Sequence, residues 1–204
     1  MKTFTQHKGN RKETLIASTR VVERTEMFER KTLFIGCGDG KELLPLVHNR
    51  ENLLIGLEPS DQLFSNASDS LKEFPNVLLL HGRIQDWKTN KYAGSIEQIY
   101  FIFPLPEILR SQAEVIVSKI HSLLSKDNGI FQLYTEITFS GWCDPEDREK
   151  LKAFLKVLSA WNFSVSTTEI CFDEMPPMAR VSHCGLLFKT HNFTRFTKVE
   201  AKKL

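Results

Sequence analysis

Short apolar runs alternate along this chain with longer stretches in which apolar residues recur every three or four positions, and the alternation begins abruptly at Lys31. Thr32–Ile35 is an apolar run that stops at glycines, as expected of a buried strand feeding a tight turn. Lys41–Asn49 then reads as a helix, Leu53–Leu57 as a second strand, Asp61–Glu73 as a helix and Val77–Leu80 as a third strand. Ile96–Phe103 supplies a fourth strand, Ile108–Leu124 a long amphipathic helix, and Gly129–Tyr134 a strand introduced by Asp127-Asn128-Gly129. Strands alternating with helices at this spacing predict an α/β fold: a doubly wound, mostly parallel sheet with helices on both faces. A further helix, Glu146–Leu158, is opened by Asp144 and Pro145 in N-cap and first-turn positions. Phe163–Cys171 and Cys184–Thr190, joined through Met175-Pro176-Pro177, predict an antiparallel pair at one edge of the sheet near the C-terminus.

Length and composition fit one core. The chain has 204 residues, 41% of them hydrophobic and 25% charged, the ordinary range for a compact domain. The division expected is a basic arm over 1–30, the α/β domain over 31–190 and a basic tail over 191–204. Residues 1–31 hold eight Lys and Arg against four Glu, and residues 189–204 hold five against one, although the whole chain is only +2. Basic ends around an acidic middle can grip a phosphate backbone, which makes RNA a candidate partner. The plainer reading is solvated tails that keep the chain soluble. Nothing in the sequence identifies a protein partner. No run approaches the ~20 apolar residues of a membrane span, and the first residues are not built as a signal sequence, so no membrane association and a cytoplasmic location are expected. The cysteines Cys37, Cys143, Cys171 and Cys184 are scattered, and the six histidines show no ligand spacing, so no metal is expected.

Candidate chemistry starts at Gly36-Cys37-Gly38-Asp39-Gly40, a G-x-G-x-G turn between a buried strand and a helix. Glycines are needed where the chain turns sharply and a ligand lies against the backbone. Glu58 stands at the end of the next strand, where a carboxylate can accept both hydroxyls of a ribose. The alternative is a glycine-rich turn beside a surface glutamate. A dinucleotide fingerprint would carry its third glycine one residue later, where Lys41 stands, so the spacing suits a ligand without a pyrophosphate.

Here the chain resembles the class I S-adenosylmethionine-dependent methyltransferases, whose first motif reads much like Phe34-Ile35-Gly36-Cys37-Gly38-Asp39-Gly40. The resemblance implies a Rossmann-like domain with S-adenosylmethionine as cofactor. His81-Gly82-Arg83-Ile84-Gln85-Asp86-Trp87 is similar to the family segment that encloses the adenine, with Ile84 packing on the ring and a polar group at Arg83 meeting its amine. The implied cofactor-binding set is Gly36, Cys37, Gly38, Gly40, Glu58, Arg83, Ile84 and Phe103. The chain departs from the family at Phe34, where an acid near the methionine moiety is usual, and at Arg83, where many relatives carry aspartate. Asp86 can substitute for that aspartate only if its loop bends toward the ring.

On the substrate side, Phe103-Pro104-Leu105-Pro106 is most similar to the F-P-D-P-W-type segment of the tRNA guanine-7-methyltransferases. Tyr134-Thr135-Glu136 falls where that family has a threonine followed by an acid, and Met178-Ala179-Arg180 is similar to its threonine-arginine segment; the resemblance covers roughly 31–190. It implies Glu136 as the catalytic group, orienting a substrate nitrogen or accepting its proton, with Pro104 and Arg180 contacting substrate. Leu105, Glu107 and Met178 replace the family's aspartate, tryptophan and threonine. An acid after a strand is as often a solvated loop residue. Phe139 and Trp142 either stack on a base or sit at the edge of the core. The function expected is methyl transfer to RNA; the alternatives are transfer to a small metabolite, or a fold that has lost its chemistry and serves as a scaffold.

Overall fold

The computed structural model describes residues 28–88, 90–139, 143–182 and 195–204. Residues 1–27 of the arm expected over 1–30, Trp142 and the strand expected at Cys184–Thr190 lie outside them.

Five strands run parallel: β1 (Arg30–Ile35), β2 (Asn52–Glu58), β3 (Val77–His81), β4 (Gln98–Ile102) and β5 (Ile130–Thr135). Two more, β6 (Phe163–Ile170) and β7 (Phe196–Lys203), complete a seven-stranded sheet in the order β3-β2-β1-β4-β5-β7-β6. β7 lies between β5 and β6 and is antiparallel to both. The antiparallel edge pair is therefore β6 with β7. Residues 196–203, expected as part of a basic tail, are an interior strand. Its residues alternate: Val199 and Ala201 are buried in the core of one sheet face, Phe196 in the core of the other, while Lys198, Glu200 and Lys202 form ion pairs beside them.

The helices are α1 (Asp61–Leu71), α2 (Pro106–Ser111), α3 (Ala113–Leu123), α4 (Pro145–Ala160) and the short α5 (Pro177–Val181). On one face α2, α3 and α4 bury Leu109, Ile116, Ile120 and Phe154 against Leu33, Ile99 and Phe131 of the strands. On the other, Leu71 of α1 and Met178 and Ala179 of α5 pack with Phe34, Leu54, Tyr100 and Tyr134. α1 starts at Ser60, whose hydroxyl accepts the Leu63 N–H, and α4 starts at Asp144, which accepts the Glu146 N–H at 2.8 Å, as N-cap chemistry requires.

Two helices differ from the pattern. Residues 41–49 form successive turns and a short 3-10 segment, Leu44–Leu46, in which N–H groups bond three residues back, as from Leu46 to Leu43 at 2.9 Å. Pro45 has no N–H for the bond an α-helix would place there, and its ring clashes with the carbonyl four residues earlier. The helix expected over 108–124 is broken at Gln112, which leaves helical geometry at φ −119° and ψ 5°. No helix among the described residues is long and apolar enough to cross a membrane.

Candidate cofactor and substrate site

The carboxyl ends of β1 to β4 meet at one rim of the sheet, the position where open parallel sheets take ligands. At the end of β1 the chain reverses, and the Gly36 and Cys37 N–H groups both bond the Leu57 carbonyl of β2, at 2.8 and 3.0 Å. Gly38 adopts a left-handed φ of +56°, open to glycine at no steric cost. Its Glu58 partner is the key to the turn: the Gly38 N–H donates to Oε2 at 2.8 Å, and the Ser60 N–H donates to Oε1 at 2.9 Å. Glu58 is 5% exposed, so the carboxylate is aimed along the rim by two backbone donors. Each of its oxygens retains further acceptor capacity for a ligand.

A cavity of about 480 Å³ opens beside this turn. It is lined by Ile35, Gly36, Leu57 and Pro59 of the first two strands and their turns, by Gly82 to Asp86 after β3, and by Phe101, Ile108 and Ile116. An S-adenosylmethionine-sized ligand suits such a volume, and a Cβ added at Gly36 or Gly38 would meet nothing within 4 Å. The turn therefore presents bare backbone to open space, and the residues fit the group. Gly40 does something else: a Cβ there would lie 2.6 Å from Leu71 of α1, so this glycine lets the turn pack onto that helix.

Of the expected cofactor set, Gly36, Arg83 and Ile84 line the cavity; Gly38, Gly40 and Glu58 do not, although Leu57 and Pro59 on either side of Glu58 do. Asp86 also lines it, in a turn in which its N–H bonds the Arg83 carbonyl at 3.1 Å. Two side chains are corrected. Cys37 is buried in the core of the opposite sheet face, and burial, followed by the charges of Glu42, Glu58 and Asp39, holds its thiol far above its usual range. Phe103, at φ +48°, turns into that same core and meets Phe196 edge-on at 5.9 Å; the aromatic residue lining the cavity is Phe101. Ser111 and Gln112, at the break between α2 and α3, add polar groups to the wall. Nothing in the sequence flagged them, because the apolar pattern runs through the break.

On the substrate side, Pro104 is buried, and Leu105 is 65% exposed at the rim. The segment is anchored through Glu107, whose carboxylate accepts from Lys150 of α4 at 3.0 Å; Lys150 also binds Asp147 at 2.9 Å and Glu146 at 3.4 Å. Thus Glu107 clamps α2 to α4. Glu136 follows β5, half-buried, and its carboxyl is raised, chiefly by burial and further by the Asp147 charge, although the Thr135 hydroxyl donates to it at 3.4 Å. It does not line the cavity. Arg180 sits at the end of α5, on the opposite sheet face. Phe139 packs against the core, its N–H bonded to Glu169 at 2.8 Å. Phe34, at the position where the family usually has an acid, is buried and stacked on Tyr100 with ring centres 5.1 Å apart. Among the described residues no group of three or more His, Cys, Asp or Glu could hold a metal.

No family model matches the sequence, and no curated protein does. Solved structures do. The chain is similar over 92% of its length to the 16S rRNA methyltransferase KamB, at 12% identity, 94% of that chain and a TM-score of 0.67. It is similar over 92% to a variant of the 16S rRNA (adenine(1408)-N(1))-methyltransferase of Catenulisporales acidiphilia, at 14% identity, 93% of that chain and a TM-score of 0.65. It is also similar over 98% to the [4+2]-cyclase SpnF, at 14% identity, 84% of that chain and a TM-score of 0.61. The sheet order, the glycine turn at its centre and these neighbours give the chain the Rossmann-like fold of the methyltransferases.

Proposed function

We propose that this protein is an S-adenosylmethionine-dependent methyltransferase that acts on RNA in the cytoplasm. One observation carries the reading: a bare-backbone glycine turn, bonded by Glu58, borders a cavity that Arg83 to Asp86 also line. Glu58 would receive the ribose hydroxyls, and Ile84, with Asp86 or Arg83, the adenine. The cofactor supplies a methyl group on a cationic sulfur, already activated for transfer. What remains for the protein is alignment. Pro104 and Pro106 stiffen the segment that would hold the target, and the Lys150 clamp fixes where it leaves β4. Glu136, with its raised carboxyl, is a stronger proton acceptor than an exposed glutamate and is the candidate for orienting or deprotonating a substrate nitrogen.

RNA is favoured by the basic residues of the arm and by two structural neighbours whose names specify 16S rRNA. Within RNA, the Phe103-Pro104-Leu105-Pro106 segment favours tRNA guanine and the neighbours favour rRNA adenine. A transfer assay with labelled S-adenosylmethionine on separated tRNA and rRNA decides between them, and a chain that binds the cofactor yet labels neither is not an RNA methyltransferase. A second reading has its own support. The [4+2]-cyclase neighbour is named for a reaction other than methyl transfer, and Leu105 stands where the family has aspartate, so a cofactor-binding fold turned to other work predicts tight binding with no transfer at all.

A further inference from the structure

Charge is divided unevenly over the domain. The first turns of α4 carry four acids, Asp144, Glu146, Asp147 and Glu149, and the lysines among them are taken up: Lys150 binds Glu107, Glu146 and Asp147, and Lys152 binds Glu149. After β3 the balance is reversed. Residues 83–88 and 90–92 carry Arg83, Lys88 and Lys91 against Asp86 alone. A fourth cation joins them from α3, where the Lys119 ammonium donates to the Trp87 carbonyl at 2.9 Å and keeps two further donors. Arg83 and Lys88 are exposed and form no ion pair among the described residues. The segment is firmly seated: the Trp87 and Tyr92 rings lie 5.3 Å apart, Tyr92 is buried, and the Lys91 ammonium sits 4.8 Å from the Tyr92 ring centre. Four cations are thus gathered on fixed backbone, in the segment whose first residues, Arg83 to Asp86, line the cavity. One carboxylate offsets them, so their repulsion is best relieved by a polyanion.

Resting on the RNA reading above, we propose that Arg83, Lys88, Lys91 and Lys119 form the surface on which the α/β domain itself holds the phosphate backbone of its RNA substrate. Each phosphate met by one of these cations releases condensed counterions, which makes the grip strong at low salt and weak at high salt. The contacts read no sequence; they set the position of the RNA relative to the cavity. The acids of α4 act in the opposite sense and disfavour any register in which the backbone runs over that helix. The surface works independently of the basic residues of the arm.

The test titrates fluorescently labelled total tRNA with the full chain over a range of salt from about 0.05 to 0.3 M. Lys88→Gln, Lys91→Gln and Lys119→Gln together should flatten the slope of log affinity against log salt by roughly two to three, and weaken binding at the lowest salt by at least roughly tenfold. Affinity for S-adenosylmethionine and the circular dichroism of the fold should not change. Glutamine keeps a donor for the Trp87 carbonyl; Lys88→Gln with Lys91→Gln, both at exposed positions, repeats the test without touching that bond and should flatten the slope by roughly one to two. A control, Lys72→Gln with Lys126→Gln and Lys156→Gln, removes the same charge from exposed positions elsewhere and should alter the slope by less than about one. A wild-type slope in the triple and double variants overturns the proposal and leaves the RNA reading standing, as does an equal loss in the control. Binding of phosphatidylserine vesicles through these lysines in place of tRNA also overturns it. If the wild-type chain binds no tRNA at the lowest salt, the RNA reading itself falls.

Discussion

The two halves of the sheet are held together in different ways. From β1 to β3 the structural decisions join each element to the next one along the chain: a left-handed glycine turns the chain, Glu58 at the end of β2 bonds the turn after β1 and the start of α1, and a tight loop after β3 brings Asp86 to the cavity. From β4 to β7 the decisions are made at a distance. Glu107 is fixed by Lys150, the Phe139 N–H by Glu169, and β5 finds its neighbour in residues 196–203. The first half thus offers the proposed cofactor a fixed surface. The second is an assembly whose rim can vary residue by residue while the sheet persists, and it is where this chain departs most from the methyltransferase patterns it resembles.

If that contrast is right, the largest effect should come from a single atom group in the first half. Gly38→Val puts a branched side chain into the open space of the turn and strains a φ of +56°; cofactor binding should fall by more than roughly a hundredfold while the circular dichroism of the fold is kept. Normal binding would mean that the turn is only a structural reversal. Glu58→Gln comes next. Losing charged hydrogen bonds should weaken the cofactor by about one to two decades in a calorimetric titration, and because glutamine keeps one acceptor oxygen for the two N–H groups of Gly38 and Ser60, hydrogen exchange at one of these amides should speed up as well.

Substitutions in the second half should instead show as small, pH-dependent changes of stability. Glu136 has its carboxyl raised in the fold, so its ionised form costs stability once the pH rises through that raised value. Glu136→Gln should therefore stabilise the empty protein by roughly 1 kcal/mol at pH 8 and leave it unchanged at pH 3.5, while slowing any methyl transfer. Equal unfolding midpoints at both pH values would show that the group is solvated. Glu200 has the opposite sign. Burial opposes its ionisation, but Gln132, Lys198 and Lys202 more than offset this and hold its carboxyl at about 2. Its contribution is present above the usual carboxylate range and is lost as the pH falls toward about 2. Since its ion pairs are partly exposed and screened, Glu200→Gln should cost less than about 1 kcal/mol at pH 7, and a larger loss in urea titration would mean that β7 itself had shifted.

The contrast also explains what could be read from the chain. The parallel strands, the glycine turn and the place of Glu58 are written in short-range apolar and glycine spacing, and the structure has them within a residue or two. The helix over 41–49 was misread because the apolar positions Leu43, Leu44 and Leu46 have helical spacing while Pro45 forbids helical bonding. The break at Gln112 leaves no mark in the pattern, since Leu109, Ala113, Ile116 and Ile120 are all buried on one face. Lys198, Lys202 and Lys203 hid β7 behind its charge; the alternation Val199-Glu200-Ala201-Lys202 was the signal that could have revealed it.

Placing β7 between β5 and β6 has a consequence for the order in which the molecule can be made. Among the described residues β6 pairs with the sheet only through β7, yet it leaves the ribosome first. A nascent chain that has emerged only as far as Ile170 carries a strand with unpaired N–H and C=O groups, with Phe163 and Val165 exposed beside a sheet that ends at β5. Such an edge invites pairing with other chains, and closing it requires contacts between residues more than sixty positions apart, the kind that form slowly. The cofactor half can settle as it is synthesised. The far edge of the sheet has to wait for residues 196–203, and expression conditions that slow aggregation during that interval should raise the yield of folded protein more than any that stabilise the finished fold.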